Sequence, residues 1–394
     1  MLCVGSLIVD AGSQLKALVI GGGIIGASVA WRLASEGVQT VVFERGRLGV
    51  EASWAAAGLI GPQAEAHEPG AFFDLALAAK LSFDSTIDRL TRESGVDPEY
   101  DDHGVLYVAF DEVMRTELGV RARWQRAAGG EVHELSPREA FKLAPMLSEK
   151  IIYALHMPTN RRVENRKLTL AYINAAVNAG AEFREGARVD SIAANSARAT
   201  GVRLDDGTLE SADVVINAAG AWSSEIRGLE EDRIRFYPVR GQILCFDARP
   251  GLIGPSLFSR AGIIVPRRDG RILAGSIFED AGFDKSVTLD GMERILRAAR
   301  TLVPSLASIP FREAWAGLRP ATDDLLPVLG VSPTVANVFY AAGHFRSGIL
   351  LSALTGEIIA DLVKDRTPAI DLTPFSPARF RDGTARAVKI TDMI

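Results

Sequence analysis

The sequence predicts an α/β fold: a nucleotide-binding domain of Rossmann type, assembled from separated segments and interleaved with an antiparallel sheet-plus-helix domain. Three observations predict it. Ala17 to Ile20 is a short apolar run that leads into Gly21-Gly22-Gly23-Ile24-Ile25-Gly26, a helical pattern, and a second apolar run closing on Glu44. Between Tyr237 and Ser276 strand signals follow one another across short turns, the mark of antiparallel pairing. Near the far end, Ala341-Ala342-Gly343-His344-Phe345-Arg346-Ser347-Gly348 again places a glycine-bearing turn between a strand and a helix.

The elements follow in order. Ile25, Val29 and Leu33 recur at helical spacing over Ile24 to Glu36, and Gly37 stops that helix. Phe72 to Arg92 and Glu112 to Ala128 read as amphipathic helices on either side of a strand at Gly104 to Phe110, and Ser136-Pro137-Arg138-Glu139 is a capping box with proline at the first helical position. A helix from Asn165 to Ala179 runs into three short strands, two of them joined at Asp205-Asp206-Gly207, and then into the apolar Val214 to Asn217, which suits a central strand. Tyr237 to Phe246, Ile263 to Pro266 and Arg271 to Ser276 are further strands, the last two joined through Arg268-Asp269-Gly270. Thr288 to Leu302 is a helix, Val338 to Ala341 a strand, and Ile349 to Val363 a helix.

The expected organisation is a loose extension over 1–16, a nucleotide domain from 17–80, 150–225 and 315–370, a substrate domain from 81–149 and 226–314, and a C-terminal tail over 371–394.

Composition narrows the function. The 394 residues are 47% hydrophobic and 24% charged, ordinary values for a globular chain able to bury a large cofactor. The net charge is -5 and basic residues cluster no further than pairs such as Arg161-Arg162, so there is no footprint for nucleic acid and the expected partners are small molecules. No stretch reaches the roughly 18 uninterrupted apolar residues of a spanning helix, and no basic leader precedes the N-terminal apolar run; a cytoplasmic protein is expected. Cys3 and Cys245 are far apart and lack metal or redox spacing, and Cys245 in a strand reads as a small buried residue. His67, His103, His133 and His156 have no metal-ligand spacing, and no metal is expected.

A lone GxGxxG is weak evidence. Here Gly21, Gly23 and Gly26 follow a strand, open a helix and precede an acid at the end of the next strand. Such glycines let backbone N–H groups and the helix N-terminus approach a pyrophosphate, while Glu44 accepts from ribose hydroxyls. NAD and FAD share this fingerprint, so the glycines do not choose between them. Ala52-Ser53-Trp54-Ala55-Ala56-Ala57-Gly58-Leu59 adds a run of small residues of the kind that lets backbone pass close to a flat ring or a phosphate.

Taken with Asn217-Ala218-Ala219-Gly220-Ala221-Trp222, Trp315-Ala316-Gly317-Leu318-Arg319-Pro320 and Gly343 to Leu350, these motifs resemble the glycine oxidase and D-amino-acid oxidase family of flavoproteins, most closely its bacterial branch in thiamine biosynthesis. The resemblance runs from Ala17 to about Lys364. It implies FAD as cofactor, held by Ile24, Ile25, Glu44, Arg45, Ala52, Ser53, Ala57, Gly58, Leu59, Val189 and Gly220, and around the flavin by His344, Phe345, Arg346, Ser347, Gly348, Ile349 and Leu350. It also implies that Arg319 forks onto the substrate carboxylate with Arg346 beside it, a task that suits the paired donors of a guanidinium. A homo-oligomer is implied in the same way.

Two details qualify the match. Ile263 stands where relatives that oxidise small amino acids often carry a tyrosine, so a hydroxyl donor is missing; this leaves room for a secondary or bulkier amine and rests carboxylate binding more heavily on Arg319. Sarcosine oxidase relatives tether flavin through a cysteine ahead of the C-terminal glycine loop, and none lies between Arg312 and Gly348, so noncovalent FAD is expected. The implied reaction is hydride transfer from a small amino acid (glycine, sarcosine or a D-amino acid) to flavin, with oxygen reduced to hydrogen peroxide. The alternative is a dehydrogenase of the same fold that oxidises an amino acid or 2-hydroxy acid and passes electrons to a quinone or protein acceptor.

Overall fold

The computed structural model describes residues 14–388. Cys3 and most of the expected N-terminal extension lie outside the described residues, and Lys16 already opens the first strand.

Six strands form the first sheet, in the order Val328–Val331, Val338–Ala342, Val214–Asn217, Lys16–Ile20, Gln39–Glu44 and Glu182–Glu185. All neighbours pair in parallel except the first two. Parallel strands are covered on both faces, and their sequences are accordingly apolar throughout. Ala17 and Val19 face helices Ile24–Ser35, Ala71–Ser94, Asn165–Asn178 and Gly348–Val363. Leu18 and Ile20 face the opposite way, into a core completed by Val189, Ile192 and Val202 of a three-stranded meander. Val214–Asn217 lies at the middle of the sheet, as its apolar character predicts.

The second sheet has eight strands, ordered Phe311–Ala321, Tyr237–Asp247, Arg271–Gly275, Gly262–Pro266, Ser256–Ser259, Val105–Ala109, Tyr153–Met157 and His133–Leu135. Alternation assigns its faces. Leu244 and Phe246 pack with Ile264, Ile272 and helix Leu289–Leu302, whereas Ile243 and Cys245 turn to the other side with Val265, Leu273 and Trp315. Cys245 is fully buried there.

Helix ends carry the chemistry their sequences promise. Glu139 accepts from both the backbone N (2.8 Å) and the Oγ (2.6 Å) of Ser136. Asp111 accepts from Met114 N at 2.7 Å, and Gly95 ends Ala71–Ser94 in the left-handed conformation. Three features depart from expectation. Tyr153–Met157 and Phe311–Ala321 join the eight-stranded sheet although residues 150–225 and 315–370 read as nucleotide-domain segments. Pairings such as Val239 with Arg319 decide sheet membership, and local pattern does not contain them. The expected tail is docked up to residue 388: Phe375 is buried in the helical core, and the Arg379 guanidinium meets Asp324 at 2.7 Å.

His344 leaves the last parallel strand and enters this core. It is 3% exposed, its Nε2 lies 3.0 Å from Thr355 Oγ1, and burial lowers its pKa from 6.5 to about 3. A folded pKa below the unfolded one means that its contribution is complete above pH 6.5 and is lost as pH falls toward about 3. His344→Gln should therefore flatten the pH dependence of unfolding below that point by up to about 1.4 kcal/mol per pH unit. Urea unfolding of both proteins between about pH 5 and pH 7 reads this directly, and equal slopes would mean that the folded protein already carries the proton.

Candidate active site

One cavity of about 1190 Å³ runs between the two sheets. That exceeds the roughly 300–1,000 Å³ of a pocket for one small ligand and leaves room for a dinucleotide with a substrate beside it. Its first end is built where Lys16–Ile20 stops. The turn after Ile20 is tight because residue 26 has no side chain: a Cβ there would sit 1.9 Å from Gly21 O. Gly22 N donates to Glu44 Oε2 at 2.9 Å, Gly46 N donates to Oε1 at 2.9 Å, and Ile24 N, at the helix N-terminus, donates to Ser53 Oγ at 2.9 Å. The Arg45 guanidinium stacks 3.7 Å from the ring centre of Trp222, adding a flat wall.

Ser53 is placed from a distance. Asn165 Nδ2 donates to the carbonyls of Ser53 (2.7 Å) and Trp54 (3.0 Å), and Asn165 Oδ1 accepts from Arg267 Nη2 at 2.8 Å. Arg267 also donates to Val163 O at 2.5 Å, and Trp315 Nε1 donates to Ala55 O at 3.0 Å. Groups from the eight-stranded sheet thus hold the Ala52–Ala55 turn over the nucleotide end.

Arg319 occupies the other end. Its Nη1 donates to Ile277 O at 3.1 Å, its Nη2 donates to Ser276 Oγ, and the guanidinium lies 4.6 Å from the centre of the Phe278 ring. The space is made by a glycine on the neighbouring strand: a Cβ at residue 241 would sit 2.3 Å from Arg319 Nη2. Burial and, after it, the charge of Arg346 lower the Arg319 pKa to about 10, which still leaves a full cation at neutral pH. Among the described residues no carboxylate lies within ion-pair distance of it. Arg346 differs, because its Nη2 lies 2.9 Å from Glu65 Oε2.

Of the residues expected to hold the cofactor or the substrate, all but Gly26 and Leu350 line this cavity. Gly26 acts through the close approach to Gly21, and Leu350 is fully buried in the helical core. His344 lines the cavity although its imidazole turns inward to Thr355. Ile263 is on the wall, presenting carbon where a hydroxyl was the expectation. Gly241, Ser276, Phe278 and Glu65 were not foreseen. Their signal is strand register and side-chain packing, such as Gly241 opposite Gly317, which no local motif encodes.

The donor set fits a flavin dinucleotide. Two helices, Ile24–Ser35 and Gly348–Val363, present their N-termini to the cavity; both follow strands of the parallel sheet, at whose carboxyl ends such folds bind dinucleotides.

Comparison with known proteins agrees. The family model described as "DAO: FAD dependent oxidoreductase" matches residues 16–362. A glycine oxidase of Bacillus licheniformis is 36% identical over 349 residues, spanning 88% of this chain and 92% of that protein. The crystal structure of glycine oxidase from Geobacillus kaustophilus superposes with a TM-score of 0.88 at 32% identity, covering 93% of this chain and 99% of the other. That of iminodiacetate oxidase from Chelativorans sp. BNC1 does so at 0.83 and 30%, covering 92% and 98%. The chain therefore belongs to the DAO family of FAD-dependent oxidoreductases, enzymes of the glycine oxidase type, and FAD is its cofactor.

Proposed function

We propose that the chain catalyses the oxidative deamination of a small amino acid, with oxygen as the electron acceptor and noncovalent FAD. The observation that carries this reading is Arg319: a half-buried guanidinium that, among the described residues, has no carboxylate partner, in a slot opened by Gly241 in the wall of the cofactor cavity. A planar cation held by Ser276 and Ile277 fixes an α-carboxylate in position and direction, which fixes the Cα–H bond as well. Arg346, already paired with Glu65, supports the field at this end more than it competes for the same carboxylate.

FAD, when bound, supplies the two-electron acceptor that no side chain provides. The residues do the rest. Arg319 orients, while Phe278 and Ile263 wall the reacting carbon with apolar surface and limit water around it. In the balanced reaction the amino acid loses the α-hydrogen as hydride and a proton from nitrogen; the imine adds water to give a keto acid and ammonia or an amine, and oxygen takes up two electrons and two protons as hydrogen peroxide.

Ile263 favours a secondary or bulkier amine over glycine, and the likeness to an iminodiacetate oxidase, named for a secondary amine, supports the same choice. A part in thiamine biosynthesis is tied to turnover of glycine. No helix among the described residues is long and apolar enough to cross a membrane, and a homo-oligomer belongs to this reading through the resemblance. Cys245 does not line the cavity, consistent with FAD held without a thioether.

Anaerobic absorbance at the flavin band tests the reaction. Glycine, sarcosine, D-alanine, D-proline and a 2-hydroxy acid are added in turn, followed by air. Bleaching by an amine and recovery in air are expected; bleaching by the hydroxy acid alone would discard amine oxidation, and bleaching without recovery would discard oxygen as acceptor. Arg319→Ala should raise the substrate concentration for half-maximal reduction by about 100-fold or more, the scale of losing one partner of a desolvated ion pair. Gly241→Ala should act in the same direction by crowding that guanidinium. Unchanged reduction in both variants would remove Arg319 from substrate binding.

A further inference from the structure

The cavity holds a third guanidinium that the reaction above does not use. Arg121 projects from helix Glu112–Ala127, lines the cavity and is 6% exposed. Its Nη2 donates to the carbonyls of Gln63 (2.9 Å), Ala64 (2.8 Å) and Ala66 (2.5 Å), and its ring neighbour is Tyr107, 5.0 Å away at the centroid. Nε is buried with no acceptor, and among the described residues no carboxylate lies within ion-pair distance.

Carbonyl dipoles satisfy donors but do not neutralise a charge, and an uncompensated buried cation is costly. The charges near the substrate end show what is lacking. Arg346 and Glu65 both lie within electrostatic reach of Arg319 and of Arg121. Glu65 neutralises Arg346 and an α-carboxylate would neutralise Arg319. One positive charge is left over, at Arg121. His67 lies within reach of both Arg121 and Arg346. It is an exposed residue that lines the cavity, and partial desolvation together with the two guanidiniums lowers its pKa. It is therefore a neutral imidazole with one N–H to offer.

We propose that Arg121, with His67 beside it, receives a second acidic group at the distal end of the substrate, so that amino acids carrying a further carboxylate are preferred over their monocarboxylate counterparts. This rests on the reading of Arg319 as the partner of the α-carboxylate, and the test separates the two.

The holoenzyme is titrated with unreactive acids, and the flavin spectrum reports binding: succinate, glutarate and adipate against butyrate, valerate and hexanoate of matching length. At least one dicarboxylate should bind about tenfold or more tightly than its monocarboxylate partner. Arg121→Met, which keeps bulk and removes charge, should bring that ratio close to one, and Arg121→Lys should retain part of it. Equal affinities for both classes in the unaltered protein would overturn the second site alone. So would a weakening of both classes by the same factor in Arg121→Met, which is the mark of a residue that only fastens the Gln63 to Ala66 carbonyls. Absence of any spectral change with either class would overturn the assignment of Arg319 as well. Should Arg121→Met lose its flavin, the lysine variant still decides: a ratio near one despite the retained cation contradicts the proposal.

Discussion

The arrangement turns on one buried cation that is not in the cavity. Arg267 is 5% exposed, lies at the end of a strand of the antiparallel sheet, and reaches across to Val163, Glu164 and Asn165 at the start of a helix that packs on the parallel sheet. Glu164 Oε2 lies 3.5 Å from Arg267 Nε and 2.8 Å from Arg271 Nη2, so two cations share one carboxylate. Burial lowers the Arg267 pKa to about 10, which records the cost of desolvation without discharging the group. Buried pairs of this kind add little net stability over a well-packed apolar substitute. Their value here is positional: Asn165 passes the constraint to Ser53, and Ser53 meets the N-terminus of the first helix. The distance between the nucleotide end and the substrate end is set through this chain of polar contacts.

With the two sheets locked, the cavity acquires an electrostatic gradient from ordinary parts. Helix N-termini lie where a pyrophosphate belongs, and full guanidinium charges lie where small carboxylates belong. Glu44 sits among the backbone N–H donors of Gly22 and Gly46, and Glu65 among the cations. Each of these two acids therefore has a partner, whereas among the described residues no carboxylate lies within ion-pair distance of Arg319 or Arg121.

What the sequence shows well is what depends on near neighbours. The strand, glycine turn and helix at residues 16–35, the second strand ending at Glu44, the hairpin at Asp205 to Gly207 and the capping box at Ser136 are all local, and each is where the residues indicate. The motifs reach the family as well, because the glycine loop, the small-residue run and the C-terminal loop are each a compact segment. The substrate end is different. Arg319 could be singled out by its motif, but Gly241, Ser276 and Phe278, which hold and frame it, lie on other strands and loops of the eight-stranded sheet. Their role depends on the register between Tyr237–Asp247 and Phe311–Ala321, and a shift of one residue would replace the glycine slot with Arg240 or Gln242. Sheet membership was obscure for the same reason: Tyr153–Met157 is a plain apolar strand whose partner is chosen far away in sequence.

The same logic explains why the substitution at residue 263 is tolerable. The position lies on Gly262–Pro266, in contact with the cavity, and its side chain packs with the apolar groups on the inner face of that sheet. A tyrosine hydroxyl there would contribute a neutral donor, worth about 1 kcal/mol when it merely exchanges a bond with water. A half-buried guanidinium such as that of Arg319 contributes a charge-assisted pair of donors, each about twice as strong and fixed in direction. Losing the hydroxyl therefore costs far less recognition of an α-carboxylate than losing Arg319 would, while the apolar wall that replaces it excludes water and admits carbon. Selection among substrates then passes from the α-carboxylate, which every amino acid carries, to whatever lies beyond the amine, and on that side Arg121 supplies the remaining uncompensated charge.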